Sequence, residues 1–346
     1  MNNLIYAINY LNEHSVDGNT VLEHSNANEA EAFEELVNQG MDDRYTADGQ
    51  ITLPELAGSL YRLHNPSMLF SEPPETGFTR LSEIEHSFLQ SFATFQSEDV
   101  SSFGFEQASG IFLENISRIS QHQDREIIAR FAARQIIEEC RNHRTQTDGQ
   151  SARINLLLSM RTLIFPVLEE EFTHNPNADF AAVFLREMNH YDDIQTTRFL
   201  ITLSYNMQGS YANRNAVDIH RFVTGVLGVR LRDVLQHHNN EQIELIVSAM
   251  VVACTSRSLE VSALANDVLR VLPDEYLNIL GDILLSSCSR SVRVASALIL
   301  GRHGRAGLPF LARVLSRPNA VPIEVYAAAL RSLENVEGHD VMPHLR

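Results

Sequence analysis

The sequence predicts an all-α protein whose larger part is a stack of helical hairpins, and three observations carry that expectation. Apolar residues recur at helical spacing in nearly every segment, and no stretch sustains the apolar and polar alternation of a strand. The last third also repeats itself in register, at offsets of 31 to 34 residues. With 346 residues, 44% of them hydrophobic, the chain is long enough to bury a core and to divide into two or three domains.

Residues Asn28 to Gln39 (NEAEAFEELVNQ) read as a helix, with Asn28 as its cap and acidic side chains in the first turns, where the helix dipole favours them. A second helix runs from Leu53 to His64, with Pro54 in its first turn, where a missing N–H breaks no bond. The link between them, Asp48-Gly49-Gln50-Ile51-Thr52-Leu53-Pro54-Glu55, resembles the second half of an EF-hand calcium loop. That resemblance implies a calcium cofactor and makes Asp43, Asp48, Gln50 and Glu55 the candidate ligands, Glu55 being the carboxylate that closes the far side. The pattern departs from the family in its first half. With Gly49 as the sixth position, Arg44 stands first and Thr46 third, so binding would take a longer loop reaching back to Asp43.

The segment Asn65 to Thr79 holds three of the eleven prolines and reads as a linker. Beyond it, Leu81 to Phe95, Phe105 to Ser120 and Arg125 to Arg141 are three amphipathic helices, closed off by the polar run Asn142 to Gln150. Helices then follow in pairs: Ala152 to Phe172, Ala178 to Met188, Ile194 to Met207 and Ala216 to His237. The expected organisation is a helix-loop-helix module over 1–70, a helical unit over 80–145 and an α-solenoid over 151–346.

The repeat is clearest from Leu259. Val292, Ala295 and Leu300 match Val325, Ala328 and Leu333 at an offset of 33, and Pro309 and Leu311 match Pro343 and Leu345 at 34. One unit earlier, Val261, Leu269, Leu277 and Leu280 match Val292, Leu300, Leu308 and Leu311 at 31. Val294, Ala297, Leu298 and Gly301 fall at i, i+3, i+4 and i+7 and predict one apolar stripe. From about Asn239 to Leu345 the chain resembles HEAT repeats, especially the short kind in which a VRxxAAxALG helix is followed by a GxPxL helix; Ser291 to Gly301 and Ala306 to Leu315 match best. The resemblance implies stacked hairpins with a long groove, hence a protein partner, and no catalytic residue.

Charge and chemistry agree with binding to protein. A net charge of −17 argues against nucleic acid or an anionic membrane as partner, because phosphate contacts need concentrated cations. Protonating all 14 histidines would cancel most of that charge, so a strong pH response is expected. Cys140, Cys254 and Cys288 lie in apolar helical contexts and read as buried thiols in a reducing compartment. The amino terminus has neither a basic start nor a cleavable apolar core, and no apolar run reaches membrane length. A cytoplasmic location is expected, in the producing cell or in a host cell after translocation.

No G-x-S-x-G, HExxH, P-loop or GxGxxG pattern is present. His237-His238, Cys140 with His143, and His190 near Asp192 and Asp193 lack metal-ligand spacing and read as helix ends. Arg125, Arg130, Arg134 and Arg141 recur at helical spacing, either as a docking stripe for an acidic partner or paired with neighbouring carboxylates. All 27 basic residues are Arg, where a chain of this size would carry on the order of twenty Lys. The leading expectation is therefore a non-enzymatic interaction scaffold. Its alternatives are a calcium-responsive regulator and a lysine-free bacterial effector that escapes lysine-directed modification in a eukaryotic cell.

Overall fold

The computed structural model describes residues 83–96, 101–142, 147–209, 213–317 and 320–335, together with Ile5. Fourteen α-helices and no strand occur among the described residues, so the fold is all-α. No single helix among them is long and apolar enough to cross a membrane. The chain divides into two compact units, Met1–Val167 and Leu168–Arg346.

In the amino-terminal unit α1 (Glu83–Gln96) packs on α2 (Ser102–Arg118) and α3 (His122–Asn142), and α4 (Thr147–Ser159) packs on α2 and α3. Ser101 caps α2 by accepting the Gly104 N–H at 3.2 Å. Phe88, Phe92 and Phe95 lie at i, i+4 and i+7 on α1 and meet Phe105 and Phe112 of α2 and Phe131 of α3, all at most 7% exposed. The rings meet edge to face, with centroids 5.4 Å apart for Phe88 and Phe112 and 5.1 Å for Phe92 and Phe131, the arrangement that ring quadrupoles favour. Where the periodicity predicts one helix from Ala152 to Phe172, there are two, because Met160 interrupts it and α5 (Arg161–His174) begins anew. The break places Pro166, which cannot donate to residue 162, in the second turn of a fresh helix rather than deep inside a long one.

The carboxy-terminal unit adds α6 (Ala178–Met188), α7 (Ile194–Met207), α8 (Arg214–Gln236), α9 (Asn240–Ala253), α10 (Leu259–Arg270), α11 (Leu277–Ser286), α12 (Arg290–Arg302), α13 (Leu308–Leu315) and α14 (Ile323–Ser332). Short polar side chains start most of them. Asn177, Asp193, Asn213, Asn239, Ser258 and Ser289 each accept a backbone N–H of the first turn. Helices pack on the next but one in two layers: α6 on α8, α8 on α10, α10 on α12 and α12 on α14, with α7 on α9, α9 on α11 and α11 on α13. This alternation is compatible with a helical repeat.

Equivalent positions of the repeat are buried alike, Val261, Val292 and Val325 in one row and Ala265, Ser296 and Ala329 in the next. Leu298, placed on the apolar stripe by the sequence, instead faces outward at 36% exposure. Ser296 takes the inner position, where its hydroxyl donates to the Leu280 carbonyl at 2.6 Å, a partner that helical periodicity does not reveal. Close approach depends on small residues: a Cβ on Gly301 would lie 2.4 Å from Ser332 Cβ, and one on Gly281 2.2 Å from the Phe310 ring. Pro343 and Leu345 of the last repeat lie outside the described residues.

Candidate functional site

The helix pair α6 and α8 frames a cleft in the carboxy-terminal unit, and its walls follow from how α6 is made. Phe180, Ala181, Phe184, Leu185 and Met188 form the buried side of α6, with Leu185 at the edge of the cleft. The chain then turns through Asn189, His190, Tyr191, Asp192 and Asp193 into α7, and this turn is held from α8. Arg230, only 3% exposed, donates to the Met188 carbonyl and to Thr197 Oγ1, each at 3.0 Å, and to the Tyr191 carbonyl. From α9, Gln242 donates through Nε2 to the Asp192 carbonyl at 3.0 Å and places Oε1 3.3 Å from Thr197 Oγ1.

One buried guanidinium thus ties α6, α7 and α8, with α9 completing the network. Burial pushes Arg230 below its ordinary value, and the carboxylates of Asp193, Asp192 and Asp233 pull it back up. Arg is the cation suited to such a place, since it stays charged and its planar fork serves several acceptors at once.

The cleft has a volume of about 280 Å³. Leu185 and Ala182 from α6 and Phe222, Gly225, Val226 and Val229 from α8 give it apolar walls, and Gly225 widens it by having no side chain. Three polar residues complete the lining: Arg186, Asn189 and Arg221. Arg221 is already engaged, 3.2 Å from Asp218 and 3.0 Å from Glu260, with its guanidinium 5.4 Å from the Phe222 ring centre. Arg186 is exposed and has no ion-pair partner among the described residues, and no carboxylate lines the cleft. Asn189 Oδ1 is covered without a hydrogen-bond partner there.

Nothing in this lining is a nucleophile with a base beside it. Elsewhere among the described residues, Ser204 Oγ of α7 lies 3.3 Å from His220 Nε2 of α8, at 3% and 2% exposure. Burial holds His220 down to about 4, so it is a neutral hydrogen-bonding group at physiological pH. Buried on both sides, the pair joins two helices.

The calcium candidates Asp43, Asp48, Gln50 and Glu55 lie outside the described residues. Among the described residues no group of three potential metal ligands comes together. His237 Nδ1 lies 2.8 Å from the Asp233 carbonyl, while His238 Nδ1 approaches the Tyr276 hydroxyl at 3.2 Å. His238 also ends α8 in the left-handed region at φ 51°, with the Asn239 N–H returning to the Val234 carbonyl, so these histidines form a helix terminus. In the arginine series on α3, Arg130 pairs with Glu126 at 3.1 Å and donates to the Leu163 carbonyl at 3.4 Å.

The cysteines differ from one another. Cys140 and Cys254 are withdrawn from solvent, and burial pushes each thiol up to about 12. Cys288, expected in the core, is exposed, because it stands in the short connection between α11 and α12 rather than on a packed face.

No protein-family model, curated protein or solved structure matches the chain.

Proposed function

We propose that the chain is a non-enzymatic scaffold that binds a partner protein along its carboxy-terminal unit, read as a HEAT-like α-solenoid. The observation that carries this reading is the two-layered packing from α6 to α14. Successive helices pack on the next but one in each layer, and such a stack has side chains on the faces turned away from the other layer to offer to a partner. Apolar side chains stand on that outer side of the even-numbered layer: Val229, Leu298 and Leu330 are each between 36 and 45% exposed. Such surfaces recognise helices and extended segments, since a row of similar positions offers many small contacts.

Site-specific photo-crosslinking of the full chain tests the reading. Probes at Leu298 and Leu330 are expected to trap one discrete protein, which then binds the purified chain in a defined ratio. Absence of any discrete adduct from either position would overturn it.

A second reading has its own observation, the absence of Lys from 346 residues whose 27 basic side chains are all Arg. On that reading the scaffold is a translocated bacterial effector that works in a eukaryotic cell, where attachment of ubiquitin to an ε-amino group would end its lifetime. Exchanging exposed Arg118, Arg198 and Arg290 for Lys is expected to shorten its half-life in such a cytosol. An unchanged half-life counts against the idea.

A further inference from the structure

Taking the scaffold reading as its base, we infer that the cleft between α6 and α8 seats one apolar side chain of a partner segment that carries a carboxylate within a helical turn of it, paired with Arg186. A cleft of about 280 Å³ lies at the lower end of sites that hold a whole small molecule, and suits one or two side chains. Its walls select for an apolar group, because a polar one would lose water against Leu185, Val226 and Val229 without gaining a hydrogen bond.

Charge then selects the neighbour of that group. A chain with a net charge of −17 repels an acidic partner over most of its surface, yet this lining contains two guanidinium groups and no carboxylate. Arg221 is held by Asp218 and Glu260, which leaves Arg186 as the cation open to an incoming carboxylate. Approach to the rest of the molecule is disfavoured and approach here favoured, a combination that yields specificity beyond what the contact area supplies. The frame is also preorganised. Arg230, next in sequence to Val229, anchors both the end of α6 and the turn that carries Asn189, so little ordering remains to be done on binding.

The test selects a displayed library of random dodecapeptides on the immobilised full chain. Enriched peptides are expected to share Leu, Ile, Met or Phe within one helical turn of Asp or Glu. In fluorescence anisotropy with the synthetic peptide, Arg186→Glu and Val229→Glu are each expected to weaken binding about tenfold or more. Because both positions are exposed, circular dichroism should show both variants folded. The same peptide with Lys in place of its acidic residue should bind Arg186→Glu better than the parent chain.

Peptides without an acidic residue, binding unmoved by both variants, or no enrichment at all would each overturn the inference. Binding that survives Arg186→Glu and Val229→Glu but is lost in Leu298→Glu or Leu330→Glu would overturn it while leaving the scaffold reading in place. Failure of the scaffold reading shows separately, as the absence of any crosslinked partner.

Discussion

In the amino-terminal unit six phenylalanines from three helices converge on one centre, whereas in the carboxy-terminal unit a smaller cluster of Phe172, Phe180 and Phe184 gives way to Val, Ala and Ser at equal positions of α10, α12 and α14. The first arrangement concentrates buried area in a few large side chains, with Phe92 and Phe112 each meeting three other rings. The second distributes it: every helix gains a modest contact with its neighbours, and small residues such as Gly301 and Gly281 set how close those neighbours come. The difference shows that one chain can reach a packed interior through a local cluster or through repetition. A single large truncation should therefore matter most in the cluster, and a single added methyl in the stack.

The largest expected effect is Phe112→Ala. Its ring lies 5.4, 5.9 and 5.3 Å from those of Phe88, Phe92 and Phe95, and removing it should cost about 4 kcal/mol. Hydrogen exchange should show the loss across α1 to α3 and not across α10 to α14; a uniform loss would erase the contrast between the units.

Next comes His220, which couples the stack to pH. The unfolded imidazole takes up a proton near 6.5, while the folded one, desolvated, resists until about 4. Its contribution is fully present above 6.5 and drains away as pH falls towards 4, an amount on the order of 3 kcal/mol. Denaturation of the parent chain across that window should show this slope, and His220→Gln should flatten it.

A smaller cost, about 2 kcal/mol, is expected of Gly301→Ala, whose new methyl meets Ser332 Cβ at 2.4 Å and its Cα at 2.9 Å. Thermal unfolding should fall accordingly, with protection lost first in α14. An unchanged midpoint would mean that α12 and α14 can slide apart freely. The smallest effect belongs to Arg198→Ala, which removes an exposed pair with Glu241 at 3.2 Å and should change stability by about 0.5 kcal/mol or less in a double-mutant cycle.

Much of the helical layout was legible because its signals are local. The segments Ala178–Met188 and Ile194–Met207 fold with the bounds that their periodicity predicts, and the structure adds Asn177 and Asp193 as the caps that start them. The interruption at Met160 carries no such mark, since neither Gly nor Pro stands there and apolar spacing continues through it. Ser296 and Leu298 changed places for a related reason: whether a small hydroxyl lies inward depends on a carbonyl sixteen residues away, at Leu280. The cleft was illegible altogether, as its walls come from 182–189 and 221–229 and its frame depends on Arg230, which in sequence resembles any surface cation of a helix. The HEAT-like spacing anticipated the burial rows at Val261, Val292 and Val325, yet it carried no information on where a partner would sit.

The alternation of α6 to α14 has a mechanical consequence. Among the described residues of this unit, substantial packing reaches no further than three helices along the chain, so none of these helices closes a long loop between distant segments. Ordering can start at any hairpin and spread to either side without waiting for remote parts of the sequence to meet. If the unit is the HEAT-like solenoid proposed above, the same connectivity would let it yield hairpin by hairpin under tension, each step releasing a few helical turns, as a soft spring does and a brittle latch does not.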